Sequence, residues 1–171
     1  MVGLSDRALW ECLSQVCDPE IPAISIVDLG IVRAVKASAG GGCEIVITPT
    51  YSGCPAMHVI EENIRQVLQA DGVAPVQVHT QLSPAWTTDW MTEAGKEKLR
   101  AFGIAPPARC AMSTTGTIDI SALSVVDDAE IACPQCGSLA TRLISQFGST
   151  ACKALYRCGD CLEPFDYFKP H

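Results

Sequence analysis

Two Cys-x-x-Cys pairs, Cys133-Pro134-Gln135-Cys136 and Cys158-Gly159-Asp160-Cys161, restrict the last quarter of the chain more than any other feature. Each pair lets two sulfurs grip one ion from a single tight turn, and two pairs make a four-sulfur cage. Gly137 follows the first pair and suits the positive φ that such a turn needs. The 21 residues between the pairs slightly exceed the usual spacing of about 15–20, which fits one longer hairpin. A redox-active dithiol and a pair of disulfides are the alternatives. The spacing favours a structural metal site of Cys133, Cys136, Cys158 and Cys161, and such a set accepts zinc or iron.

With 171 residues, the chain has room for one ordinary domain and a small appendage. No apolar run approaches the ~20 residues of a membrane helix. The N-terminus lacks the basic and apolar segments of a secretion signal. The ten cysteines are therefore expected in a reducing cytoplasm, as metal ligands, reactive thiols or buried apolar groups. A net charge of −7 argues against nucleic acid or an anionic membrane as partner. The appendage is no exception: Arg142, Lys153, Arg157 and Lys169 are nearly balanced by Asp160, Glu163 and Asp166.

Ser5 can cap a first helix, with Leu4 packing on Leu9; Leu9, Leu13 and Val16 form its apolar face, and Pro19 stops it near Cys17. A loop through Asp18-Pro19-Glu20-Ile21-Pro22 and Asp28-Leu29-Gly30 leads to strands at 31–37 and 43–48, with a turn at Gly40-Gly41-Gly42. Thr48-Pro49-Thr50-Tyr51-Ser52-Gly53-Cys54-Pro55 runs into a second helix, which ends near Ala70 and faces the core with Ile60, Ile64, Val67 and Leu68. Val76, Val78, Thr80 and Leu82 alternate as a third strand, and 88–102 reads as a third helix carrying Met91, Leu99 and Phe102, with Gly103 as its C-cap. The order helix–strand–strand–helix–strand–helix predicts an α+β domain over 1–105. Residues 106–130 read as a linker. Residues 131–171 read as a β-rich, rubredoxin-like zinc ribbon, with strands at 140–147, 153–158 and 164–169. Forty residues cannot bury enough apolar area to fold unaided, so the metal is expected to supply folding free energy, on the order of 10 kcal/mol in comparable sites.

Cys54 is the second candidate. Pro55 suits a first helical position, which puts Cys54 at the N-cap beside unpaired N–H groups and the positive dipole end. Those should lower its pKa below the free value of about 8.5. A buried filler sulfur is the alternative, and position alone does not separate the two. His58 stands four residues further on and could tune the thiolate or simply be solvated. Asp18, Glu20 and Asp28 flank turns, where carboxylates ordinarily satisfy backbone N–H groups. Cys12, Cys17 and Cys43 read as filler, Cys110 stands alone in the linker, and Cys152 reads as a structural thiol. No nucleophile elbow, phosphate-cradling glycine motif or dinucleotide fingerprint is present, so the chain is expected to be an accessory protein rather than an enzyme.

The motifs Asp18-Pro19-Glu20-Ile21-Pro22, Asp28-Leu29-Gly30-Ile31-Val32, Thr48 to Pro55, and Pro84-Ala85-Trp86 with Met91-Thr92-Glu93 resemble the iron–sulfur assembly family that includes SufT. The appended ribbon, with Phe147-Gly148-Ser149-Thr150 and Cys152 to Cys158, is similar to the PaaD subfamily. The resemblance implies a maturation factor associated with the multicomponent phenylacetyl-CoA epoxidase of phenylacetate catabolism. Its client would be the reductase component, which carries a [2Fe–2S] centre. The same resemblance assigns iron or cluster handling to Cys54 and pocket shaping to Asp28 and Thr50. One departure is Ser83, where many relatives carry an Asp. A transient cluster or iron would be the cargo and one structural zinc the resident ion, and a homodimer would help complete the cargo's ligand set. Competing readings are a structural subunit of the oxygenase, a thiol oxidoreductase and a nucleic-acid binder.

Overall fold

The computed structural model describes residues 4–38, 40–107 and 131–170. Cys110, His171 and most of the expected linker lie outside the described residues. The chain divides into two units, one ending at Phe102 and the other running from Gly103 to Pro170.

The first unit opens with α1 (Asp6–Leu13), whose N-cap Ser5 accepts the Ala8 N–H through its hydroxyl. The helix stops at Leu13 rather than near Cys17. The Val16 carbonyl is taken by the Ile26 N–H at 2.9 Å, and Cys17 forms an isolated bridge with Ser25. Val16 is nonetheless buried, as the apolar pattern requires. The loop that follows packs like core, burying Ile21, Ile24, Ile26, Leu29 and Ile31. Strand β1 (Val32–Ala37) and strand β2 (Cys43–Ile47) form an antiparallel hairpin, and β3 (Val76–Thr80) adds parallel to β2. A parallel neighbour demands a crossover, which helix α2 (Met57–Ala70) supplies. Cys43, Ile45 and Ile47 of β2 and Ile60, Ile64 and Leu68 of α2 are buried. Leu82 does not extend the third strand: β3 ends at Thr80 and Leu82 is exposed.

The stretch expected as one helix over 88–102 is two elements. A 3-10 turn at Thr88–Trp90 is followed by an extended Met91, and α3 (Glu93–Ala101) starts afresh. Thr92 divides them, because its hydroxyl caps α3 by accepting the Gly95 N–H at 2.9 Å. Phe102 is exposed at the end of α3, whereas Met91 and Leu99 are buried. The Asp28-Leu29-Gly30 motif is pinned from this side. The Trp86 indole N–H donates to the Leu29 carbonyl at 2.9 Å, and Gly30 has φ +70° with the Trp90 carbonyl where a Cβ would stand.

The second unit is a four-stranded sheet of β4 (Ile104–Ala105), β5 (Thr141–Ser145), β6 (Lys153–Cys158) and β7 (Pro164–Phe168), in the order β4-β7-β6-β5. Three strands fall where the sequence places them. Strand β4 is additional: two residues are too few to show periodicity, and it pairs in parallel with β7. The core comprises Ala105, Ile131, Cys133, Ala154, Cys158, Phe165 and Tyr167. Tyr156 packs edge-on to Tyr167 with centroids 5.5 Å apart.

Candidate functional site

Cys54 stands where the loop from β2 enters α2. The regular helix begins at Met57, two residues later than a cap at Cys54 implies, because Pro55 and Ala56 form a turn first. Cys54 is not the cap of α2: that position is taken by Ala56, without a side-chain cap bond, although the Ala56 N–H and the Tyr51 side chain both hydrogen-bond to the half-buried Cys54 sulfur. The expected fall in pKa does not follow. Burial pushes the thiol above its ordinary value, the charges of Glu20 and Asp18 push it further, and the two hydrogen bonds offset only part of this. Sequence reasoning placed Asp18 and Glu20 in turns, and Asp18 does accept the Glu20 and Ile21 N–H groups at 2.7 and 3.0 Å. What it missed is that both carboxylates act on Cys54 from 34 and 36 positions earlier in the chain. Only the buried loop that brings them together carries that information.

The loop that leads to Cys54 walls a cavity of about 390 Å³, lined by Thr48, Thr50, Tyr51, Leu82 and Trp86, among others, and Cys54 itself is not in its lining. The Thr48 hydroxyl is buried without a hydrogen-bond partner. Thr50 is thus placed in a pocket, half-buried. Asp28 is engaged elsewhere. Its carboxylate accepts hydrogen bonds from Lys98 at 2.6 Å, Ser25 at 2.8 Å and Thr92 at 3.0 Å. Burial alone would raise its pKa, but these three donors and the Lys98 charge hold it below the usual carboxylate range. Asp28 therefore ties the loop to α3. His58 is exposed on α2. Of the remaining thiols, Cys12 is buried against Asp71, and burial with that hydrogen bond pushes it up to about 11. Cys43 and Cys152 are buried, and Cys17 is exposed.

In the second unit, the sulfurs of Cys133, Cys136, Cys158 and Cys161 all lie within 4.8 Å of one another. Tetrahedral coordination with metal–sulfur bonds of about 2.3 Å sets sulfurs about 3.8 Å apart. The Cys133–Cys161 and Cys136–Cys158 separations are 3.7 and 3.6 Å. The quartet thus fits a single ion, and none of the four is in a disulfide. Two similar knuckles hold it. Cys133 N–H bonds to the Ser138 carbonyl, and Cys158 N–H to the Glu163 carbonyl. The residue after each second cysteine has positive φ: Gly137 at +75°, as expected, and Leu162 at +65°, where a side chain is rarely found. Backbone N–H groups of Cys161 and Asp160 lower Cys158 to about 6. Cys161 is held up at about 12, since burial and the neighbouring sulfurs outweigh the Glu163 N–H bond. A dication removes this competition, because every sulfur can then be a thiolate.

Residues 6–79 match the family model described as iron-sulfur cluster assembly protein, and residues 120–169 match that of the PaaD zinc beta ribbon domain. A protein of Escherichia coli (strain K12), named as a subunit of "Putative 1,2-phenylacetyl-CoA epoxidase", is 52% identical, over 94% of this chain and 90% of that one. An Fe-S protein maturation auxiliary factor of Porphyromonas gingivalis is 35% identical over 52% of this chain and 85% of its own. In the crystal structure of a DUF59 domain from Bacillus anthracis, 90% of that chain matches 55% of this one at 30% identity and a TM-score of 0.52. Identity that spans both the assembly domain and the ribbon places this chain in the PaaD-type family of iron–sulfur cluster assembly proteins.

Proposed function

We propose that this chain is an iron–sulfur maturation factor for a multicomponent phenylacetyl-CoA epoxidase, and that its client is the reductase component of that oxygenase. The observation that carries the reading is Cys54: a half-buried thiol with two hydrogen-bond donors and two carboxylates acting on it, at the end of a loop whose earlier residues line a cavity. A thiol with a raised pKa rests protonated, which protects it from oxidation. Iron displaces the proton, and the negative charge of Asp18 and Glu20 favours the cation as it disfavours the thiolate. One protein thiolate cannot complete a cluster's ligand set, so a second copy, a small thiol or the client's own cysteines supply the rest. Such ligation is labile, as handing on requires. Thr50 shapes the pocket wall, and Asp28 holds the loop that presents Asp18 and Glu20. In the ribbon, zinc is the resident ion and keeps the sheet folded.

The E. coli relative's name, that of an epoxidase component, favours a second reading, a structural part of the oxygenase. Stoichiometric co-purification with the active complex would support it. The maturation reading is tested by expressing the reductase component alone, with this chain, and with its Cys54→Ala variant, and measuring [2Fe–2S] occupancy. Occupancy should rise only with the unaltered chain. Equal occupancy in all three removes the role.

A further inference from the structure

The ribbon carries a patch of cations and exposed apolar side chains that the sulfur chemistry does not use. Among the described residues, strand β5 is the outer strand of its sheet. Along it Arg142 is the Cα partner of Arg157 on β6, so two guanidinium groups stand directly opposite one another. Like charges in that position destabilise a sheet unless something neutralises them. Among the described residues, neither arginine has a carboxylate within ion-pair distance. The Arg157 side chain bonds only to the Leu162 carbonyl, Asp166 is paired with Lys153, and Asp160 bonds to Ser138. The apolar side of the surface is equally unfinished. A bulge between Leu143 and Ser145 interrupts the pairing, and Leu143, Ile144 and Phe147 are 45%, 51% and 67% exposed. The Lys169 ammonium lies 4.7 Å from the Phe147 ring, a third cation on the strip. In a chain of net charge −7, a cationic, apolar edge strand is an unusual local choice.

We propose that β5 is a docking edge for an extended, acidic and apolar segment of a partner protein, whose carboxylates pair with Arg142 and Arg157 while its apolar side chains cover Leu143, Ile144 and Phe147. An outer strand offers a row of backbone groups that an incoming strand can pair with, and flanking pockets and charges select the partner. Planar guanidinium forks suit carboxylates, which fix register as well as orientation. The identity of the partner as the client reductase rests on the maturation reading above; the chemistry of the edge does not.

The experiment measures binding of the purified reductase component to the full chain at low and high salt, for the unaltered protein and for Arg142→Glu, Arg157→Glu, Arg142→Lys and Arg100→Glu, an exposed cation on α3. Ribbon metal content is checked in each. Charge reversal at either ribbon arginine should weaken binding at least tenfold at low salt, with the metal retained. Arg142→Lys should weaken it far less, and Arg100→Glu should bind as the unaltered protein does. Affinities within twofold for both ribbon reversals overturn the proposal. So does an arginine-dependent self-association, which gives the edge to a second copy, or arginine-dependent binding of a DNA or RNA oligonucleotide. Absence of binding, beside cluster occupancy that still depends on Cys54, overturns the docking edge and leaves the maturation reading standing. Charge-sensitive binding beside occupancy indifferent to Cys54 does the reverse.

Discussion

At the scale of single residues, the decisive finding is that one cysteine at a helix start is not automatically an activated one. A helix dipole and unpaired N–H groups were expected to lower the Cys54 pKa, yet burial and the Glu20 and Asp18 charges win. Alkylation of Cys54 should therefore rise with pH through a midpoint above the ordinary thiol value of about 8.5, followed by mass spectrometry of the labelled peptide. Glu20→Gln should move that midpoint down and speed labelling at neutral pH. An unchanged midpoint would remove Glu20 from the site. Asp28 behaves oppositely. Its folded pKa is depressed, so its stabilisation is present at neutral pH and is lost as pH falls below about 3.9 and through the folded value. Asp28→Asn should cost about 2 kcal/mol at pH 7, since hydrogen bonds to a charged group are lost or weakened, and much less at acid pH. Denaturant titrations at the two pH values check the difference.

At the scale of elements, the turns around the two sites are built on backbone positions that few residues tolerate. Gly30→Ala would place a methyl 2.3 Å from the Trp90 carbonyl oxygen in a left-handed conformation, and should destabilise the first unit by about 3 kcal/mol or more in thermal melts. In the ribbon, Gly137→Val should cost about 1–2 kcal/mol, whereas Leu162→Gly should be neutral or slightly stabilising, because Leu162 already holds the strained φ. Competition with a chelator ranks the two. These elements also show how much could be read from the chain. The ribbon strands, α2 and the hairpin follow from alternation and helical period, since burial on one face imposes those periods. Thr92 was legible as a cap in principle, but the apolar Met91 and Leu99 made 88–102 look continuous. Strand β4 has no period to read. The Cys54 environment was hidden for another reason: its cause is contact across the sequence between a buried loop and a helix start, which no local pattern encodes.

At the scale of the whole molecule, sulfur stands in two settings among the described residues: a quartet within 4.8 Å of one another and a lone half-buried thiol at Cys54. The quartet's spacing alone foretold its geometry, because four ligands on one ion leave little freedom. A strong chelator should release one dication and abolish the near-ultraviolet signal of the ribbon tyrosines, Tyr167 in the core and Tyr156 packed edge-on against it. The lone thiol should stay reactive throughout that treatment. The most direct test of this separation is anaerobic reconstitution with iron and sulfide, followed by Mössbauer spectroscopy and metal analysis of the unaltered chain and of Cys54→Ser. Iron uptake should fall at least tenfold in the variant while the ribbon keeps its single ion. Undiminished iron in Cys54→Ser, or iron found on the four ribbon sulfurs instead, would contradict the account.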